Sequence, residues 1–163
     1  MCIRDRDGRE PSVRCINFGL DGMQSFSFTL EEERSAVLVP AGQVGTYLYE
    51  PNASVLKAGA FKQIAVRTGV KKLQVNSHLY TADHLVSDFP GRRFRVDEVL
   101  SFTGKLCKGL SKTIPQANIT VRNFPLSVEE LRKRTKITDG GHVYLFATTL
   151  VDGEKVLVKC SKA

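Results

Sequence analysis

His142–Cys160, HVYLFATTLVDGEKVLVKC, decides how the second half of this chain is read. His142–Leu150 and Lys155–Cys160 are runs rich in apolar and β-branched residues, with Val151-Asp152-Gly153-Glu154 between them. Asp-Gly between two such runs is the strongest short-range hairpin signal in the sequence, because the favoured two-residue turn needs positive φ at its centre. Upstream, Ser127 and Glu130 match a capping box and Leu126 with Leu131 fits a hydrophobic staple, which predicts a helix over 127–134. Ala117–Arg122 (ANITVR) reads as a short β-branched strand. Lys105–Ile114 reads as a helix with Leu106 and Leu110 on its apolar stripe and Pro115 just past its end. Arg92–Phe102 (RRFRVDEVLSF) reads as a strand with Phe94, Val96 and Glu98 on one face. The second half is therefore β-α-β-α-β-β. That order predicts a mixed α/β fold with right-handed crossovers and a partly parallel sheet, the terminal hairpin adding an antiparallel edge.

The first half is less regular. Ser12–Phe18 and Gln24–Thr29 alternate apolar and polar residues around Gly19-Leu20-Asp21-Gly22, which predicts a β-hairpin. Thr29 then precedes Leu30-Glu31-Glu32-Glu33, a helix start with acids in its first turn, cut short by Pro40 and Gly42. Asn52 can cap a stronger helix over 52–68, with Val55, Leu56, Ala60, Ile64 and Ala65 at helical spacing and Gly69 as its stop. Ala58, Gly59 and Ala60 give that helix a small-residue surface that another element can approach closely. Leu73–Pro90 is loop-rich, with a short strand at Leu79-Tyr80-Thr81.

The 163 residues are 42% hydrophobic and 25% charged, an ordinary globular composition, and no apolar run reaches the length of a membrane span. Net charge is +7, and its position says more than its size. Residues 91–136 hold eleven basic and four acidic side chains, while the remainder is balanced at thirteen of each. Such a segment favours a polyanionic partner. Cys2, Cys15, Cys107 and Cys160 are scattered, as are His78, His84 and His142, so the paired spacing of a zinc site is missing. With no apolar leader after Met1, reduced thiols and a cytoplasmic location are expected. Met1-Cys2-Ile3-Arg4-Asp5-Arg6 resembles translated adapter sequence, and residues 1–6 are expected to be a non-native start.

Little in the sequence points to catalysis. No strand leads into a Gly-x-Gly turn and helix, as a dinucleotide or S-adenosylmethionine pocket on a doubly wound sheet requires: Gly19 and Gly22 sit in a hairpin, and Gly140-Gly141 leads into a strand. A P-loop and a serine nucleophile elbow are missing too. The carboxylate pairs Glu31–Glu33, Asp97-Glu98 and Glu129-Glu130 read as helix starts or exposed faces. No catalytic, cofactor-binding or metal-ligating residue is assigned. The basic clusters are the remaining signal. Arg92, Arg93 and Arg95 open a strand; Lys105, Lys108 and Lys112 line one helix face; Arg122 ends a strand; Arg132, Lys133 and Arg134 close a helix. Together they are candidate phosphate contacts for RNA. The bland reading of the last cluster is dipole complementarity with Glu129–Lys133 and Glu130–Arg134 pairs at i,i+4.

Several strings go beyond pattern. Tyr47–Phe61 (YLYEPNASVLKAGAF), Asn76–Thr81 (NSHLYT), Asp88–Arg92 (DFPGR), Asn118–Ser127 (NITVRNFPLS) and Tyr144–Thr149 (YLFATT) resemble a bacterial family, the class I S-adenosylmethionine-dependent methyltransferases with a C-terminal THUMP-like domain. The resemblance implies that 88–163 is the THUMP-like domain, an RNA-binding module acting on rRNA or tRNA. It implies that 30–87 is a helical connector and that 7–29 is the terminal hairpin of a truncated methyltransferase domain. The S-adenosylmethionine site would belong to an upstream domain of the parent enzyme, which makes this chain a C-terminal fragment that binds no cofactor itself. The alternative is a structural or dimerisation domain without nucleic-acid contact, motivated by the small-residue helix at 52–68.

Overall fold

The computed structural model describes residues 2–4 and 11–163. Its main sheet has seven strands: β4 (Tyr47–Pro51), β5 (Lys71–Lys72), β6 (Tyr80–Ala82), β7 (Gly91–Ser101), β8 (Asn118–Arg122), β9 (Tyr144–Thr149) and β10 (Lys155–Lys162), in the spatial order β5-β6-β4-β7-β10-β9-β8. Only β8 and β9 run parallel to each other; the remaining neighbours are antiparallel. The mixed α/β architecture and the β-α-β-α-β-β order of the second half are as the sequence predicts. The terminal hairpin is not an edge, however. β10 lies between β7 and β9, and β8 forms the edge. The reason is visible in its side chains: Val156, Val158 and Cys160 are buried on one face and Leu157 on the other. A strand apolar on both faces belongs inside a sheet.

β7 carries a bulge. Lys159 pairs with Glu98 but Cys160 pairs with Val96, so Asp97 is the extra residue. A bulge exchanges the two faces of the strand beyond it. Phe94 and Val96 therefore join one core with Leu48, Leu73, Leu79, Phe146, Val156, Val158 and Cys160, while Leu100 joins the opposite core. Glu98 leaves the Phe94 face predicted for it for the same reason. The opposite core is roofed by α4 (Gly104–Thr113) and α5 (Val128–Thr135), whose Leu110 and Leu131 meet Leu145, Ala147 and Leu157 of the sheet.

The sheet also curls. Glu50 of β4 and Arg122 of β8 have β7, β10 and β9 between them, which in a flat sheet would hold them at least about 19 Å apart by strand spacing alone. Their side chains meet at 3.5 Å. The sheet thus wraps around the core containing Phe94, and its concave side is closed by the chain from Leu73 to Leu79. Phe94 sits at the centre of that core, 4.9 Å by ring centroids from both Tyr144 and Phe146.

The predicted N-terminal hairpin forms from β2 (Ser12–Gly19) and β3 (Gly22–Thr29), with β1 (Cys2–Arg4) pairing antiparallel to β2. The expectation for residues 1–6 otherwise lies outside the described residues. Val13, Cys15, Phe26 and Phe28 of the hairpin pack with Tyr49 and Tyr80 of the main sheet. Thr29 caps α1 (Leu30–Ser35) through a full capping box with Glu32.

The single helix predicted over 52–68 is two helices, α2 (Ala53–Ala58) and α3 (Phe61–Thr68). Gly59 adopts the left-handed conformation that ends α2, and Gly69 does the same for α3. Ala60 offers α3 no side-chain cap, and Glu33 of α1 supplies one: its two carboxylate oxygens accept from the backbone of Lys62 and Gln63, each at 2.8 Å. The small-residue stretch is consumed inside the molecule, since Ala60 is buried and α2 packs on β2. Residues 30–87 thus contain the expected helices, the expected short strand as β6, and two further strands of the main sheet, β4 and β5.

Candidate nucleic-acid interface

α4 forms because Thr103 caps it, accepting from Leu106 N at 3.1 Å, and because Cys107, Leu110 and Ile114 face the sheet. That placement turns Lys105, Lys108 and Lys112 outward together, all three exposed. No acidic residue lies on α4. An open depression of about 540 Å³ runs alongside, lined by Thr103, Lys105, Leu106, Gly109 and Thr113 among others.

α5 packs against α4. Ser127 caps it, accepting from Glu130 N at 3.2 Å, and Leu131 and Thr135 anchor it to the core. Lys133 and Arg134 are exposed. The Glu129–Lys133 and Glu130–Arg134 pairs expected from spacing do not come within ion-pair distance, so both cations stay available. Arg134 lies close enough to α4 to act on Cys107, whose thiol is pushed up by burial and drawn part of the way back by that guanidinium. Arg132 behaves differently. It donates to Asp139 Oδ1 at 2.7 Å and to the carbonyls of Ala117 and Ile137 at 3.3 Å each, pinning the chain that leaves α5.

The other candidates fall elsewhere. Arg93 and Arg95 lie on the same sheet face as α4 and α5 but toward β4, paired in register with Tyr49 and Tyr47. Arg93 donates to Ser87 O at 2.7 Å, and Arg95 is exposed. Arg92 and Arg122 lie on the concave face, where both bind Glu50: Arg92 Nη2 at 2.7 Å and Arg122 Nη2 at 3.5 Å. Of the ten candidate residues, Lys105, Lys108, Lys112, Lys133 and Arg134 share the helical layer. Arg93 and Arg95 extend the same side, and Arg92, Arg122 and Arg132 are engaged in ion pairs.

Sequence reading did not single out Glu50, Lys72, His78 or Thr148. Glu50 had a signal: an acid inside the apolar run Tyr47–Pro51 must find a partner if that run is buried, and it is only 7% exposed. Lys72 is 2% exposed and donates to Val75 O at 2.6 Å and to His78 Nδ1 at 3.1 Å, above the Phe61 ring. Burial holds the Lys72 ammonium below its ordinary pKa, with Glu33 opposing. Nothing local in the sequence marks it.

Residues 47–90 match a ferredoxin-like domain family, and residues 91–162 match the THUMP domain-like family. The second half of this chain is thus similar to the THUMP domain-like family. Its match begins at Gly91, the first residue of β7, and ends at Lys162, the last of β10. The fold is also that of the crystal structure named "putative methyltransferase from Porphyromonas gingivalis W83": 48% identity, a TM-score of 0.88, and coverage of 92% of this chain. The alignment spans 37% of that longer chain. No curated protein sequence matches.

A methyltransferase relative raises the question of S-adenosylmethionine. The strand-to-helix junctions among the described residues are Thr29, Asn52, Phe102-Thr103 and Asn123–Ser127. None is a glycine-rich turn opening a helix onto which a nucleotide-like cofactor could seat. The residues present do not fit that cofactor. Among the described residues no group of three or more His, Cys, Asp or Glu converges on a metal position, and no helix is long and apolar enough to cross a membrane.

Proposed function

We propose that this chain is the RNA-presenting part of a methyltransferase, holding structured RNA such as tRNA or rRNA through the helical layer of its THUMP domain-like half. A catalytic domain outside this chain would bind S-adenosylmethionine and transfer the methyl group. The carrying observation is that Lys105, Lys108, Lys112, Lys133 and Arg134 are exposed without ion pairs on two packed helices. Cations so placed act on phosphates through charge and counterion release, giving affinity that falls with salt and reads little sequence. The methyltransferase relative and the RNA-binding role of THUMP modules support the partner class.

The test is fluorescence anisotropy of the full 163-residue chain with labelled tRNA and an rRNA hairpin over a salt series. Replacing Lys105, Lys108 and Lys112 by alanine is expected to weaken binding to every RNA alike and to flatten the salt slope by about 3. Wild-type affinity that ignores salt, or survives the triple substitution, overturns the reading in favour of a structural domain without nucleic-acid contact.

A further inference from the structure

The concave face holds a second cationic centre that faces away from the helical layer. Arg92 and Arg122 reach it from β7 and β8 and converge on Glu50. Arg92 gives Glu50 Oε1 both Nε, at 3.0 Å, and Nη2, at 2.7 Å, and its guanidinium lies 5.3 Å over the Phe94 ring, which fixes it. Arg122 gives only Nη2, at 3.5 Å. Its Nε is buried with no hydrogen-bond partner.

The neighbour of Arg122 across the parallel β8–β9 pair is Thr148. Thr148 is fully buried, and its hydroxyl also has no partner. Side chains in register on neighbouring strands share a face, so the orphan Nε and the orphan hydroxyl lie on the same side of the sheet. His78 borders the cluster. Lys72 donates to its Nδ1, which leaves the ring proton on Nε2. Burial, then Lys72, then Arg122 hold the imidazole below its ordinary pKa.

The charges do not balance. Arg92 and Arg122 both face the one carboxylate of Glu50. Two guanidiniums share one carboxylate, and one of them makes a single long contact. Both keep accessible donors, since the Arg92 side chain is 53% exposed and that of Arg122 38%. A planar carboxylate offers two oxygens and cannot satisfy both forks together with a hydroxyl. A tetrahedral oxyanion can, and bidentate arginine contacts suit phosphate in particular.

We propose that Arg92 and Arg122, with Thr148 beneath them, form a binding site for a phosphate group, either free inorganic phosphate or the terminal phosphate of a nucleotide. Glu50 orders the two arginines when no anion is bound and competes with the one that arrives. The site is independent of the RNA surface on α4 and α5, because it opens on the other face of the sheet.

Calorimetric titration of the full chain with inorganic phosphate, at constant ionic strength in chloride, tests this. Saturable binding is expected. R122K keeps the charge but loses the fork and should weaken phosphate at least fivefold. T148V removes the orphan hydroxyl and should weaken it at least threefold while raising the melting temperature, because an unsatisfied buried polar atom is gone. The melting shift shows that the fold is intact when affinity drops. E50Q removes the competing charge and should tighten phosphate at least threefold. Adenosine 5′-monophosphate binding more tightly than phosphate, with adenosine itself silent, assigns the site to nucleotide ends; equal affinity assigns it to the free ion. Absence of saturable binding, or unchanged affinity in folded R122K and T148V, overturns the proposal. The Lys105, Lys108 and Lys112 triple substitution should leave phosphate binding at the wild-type level, which separates its fate from that of RNA binding.

Discussion

The two faces of the main sheet use arginine and lysine in opposite ways. On the face roofed by α4 and α5, Lys105, Lys108, Lys112, Lys133 and Arg134 stand on helices anchored by Cys107, Leu110, Leu131 and Thr135, and they make no ion pair among the described residues. On the concave face, Arg92 and Arg122 are built into the closure of the sheet through Glu50. The first set can be removed without disturbing a packed atom; the second cannot. Charge in a sequence therefore carries two meanings, and only the partner across the sheet separates them. Arg132 shows the same division within one helix, tied to Asp139 while its neighbours Lys133 and Arg134 are free.

Substitutions that strike the two faces unequally sharpen this contrast. Phe94→Ala should cost most, about 3–5 kcal/mol by urea unfolding, because Phe94 fills the centre of the concave core against Tyr144 and Phe146. Gly91→Ala comes next, at about 2–3 kcal/mol: a Cβ there would lie 2.1 Å from Glu50 O and 2.9 Å from Pro51 Cα, where backbone meets backbone. Glu50→Gln should lose about 1–2 kcal/mol, less than a fully buried pair because both arginines are more than a third exposed.

Cys160, on the concave face, gives a signature in pH. Burial, with the Asp97 charge adding, pushes its thiol up to about 12 from an ordinary 9.0. Between those values the folded chain keeps a proton that the unfolded chain releases. Stability should therefore be intact below about pH 9 and fall as pH rises toward 12. Unfolding midpoints measured across that range should fall less steeply in Cys160→Ala than in wild type. Smallest of all, the alanine triple at Lys105, Lys108 and Lys112 should move stability by no more than about 0.5 kcal/mol. A larger loss would mean that the helical layer is braced by its lysines, and the contrast between the faces would collapse.

Much of the second half, and the caps of the first, were legible because those signals are local. The Asp-Gly turn, the Ser127 cap, the Thr29 capping box and the Gly69 stop each operate within a few residues, and each forms. What escaped was non-local. Tyr47–Pro51 buries Leu48 and Tyr49 on opposite faces, so it has no alternation to read as a strand. The bulge at Asp97 is defined only against Lys159 and Cys160, more than sixty positions away. Gly59 looked tolerable inside a helix until Glu33, from another element, supplied the cap that makes two helices better than one. The candidate site divides in the same way. The lysine stripe on α4 is a periodicity, visible in order, whereas the engagement of Arg92 and Arg122 depends on a carboxylate delivered by the curl of the sheet.

The position of β10 has a consequence for synthesis. β7 and β9 are both translated before residues 155–162, yet they are joined to each other only through the strand those residues form. Until it emerges, the nascent chain holds two fragments, β5-β6-β4-β7 and β9-β8, each with an open edge toward the other. Open edges recruit strands from other chains, and pairings distant in sequence form slowly. The interval between translating Thr149 and Lys162 is thus the period of greatest exposure to misassembly, and a chain interrupted there would be a sheet with its keystone missing.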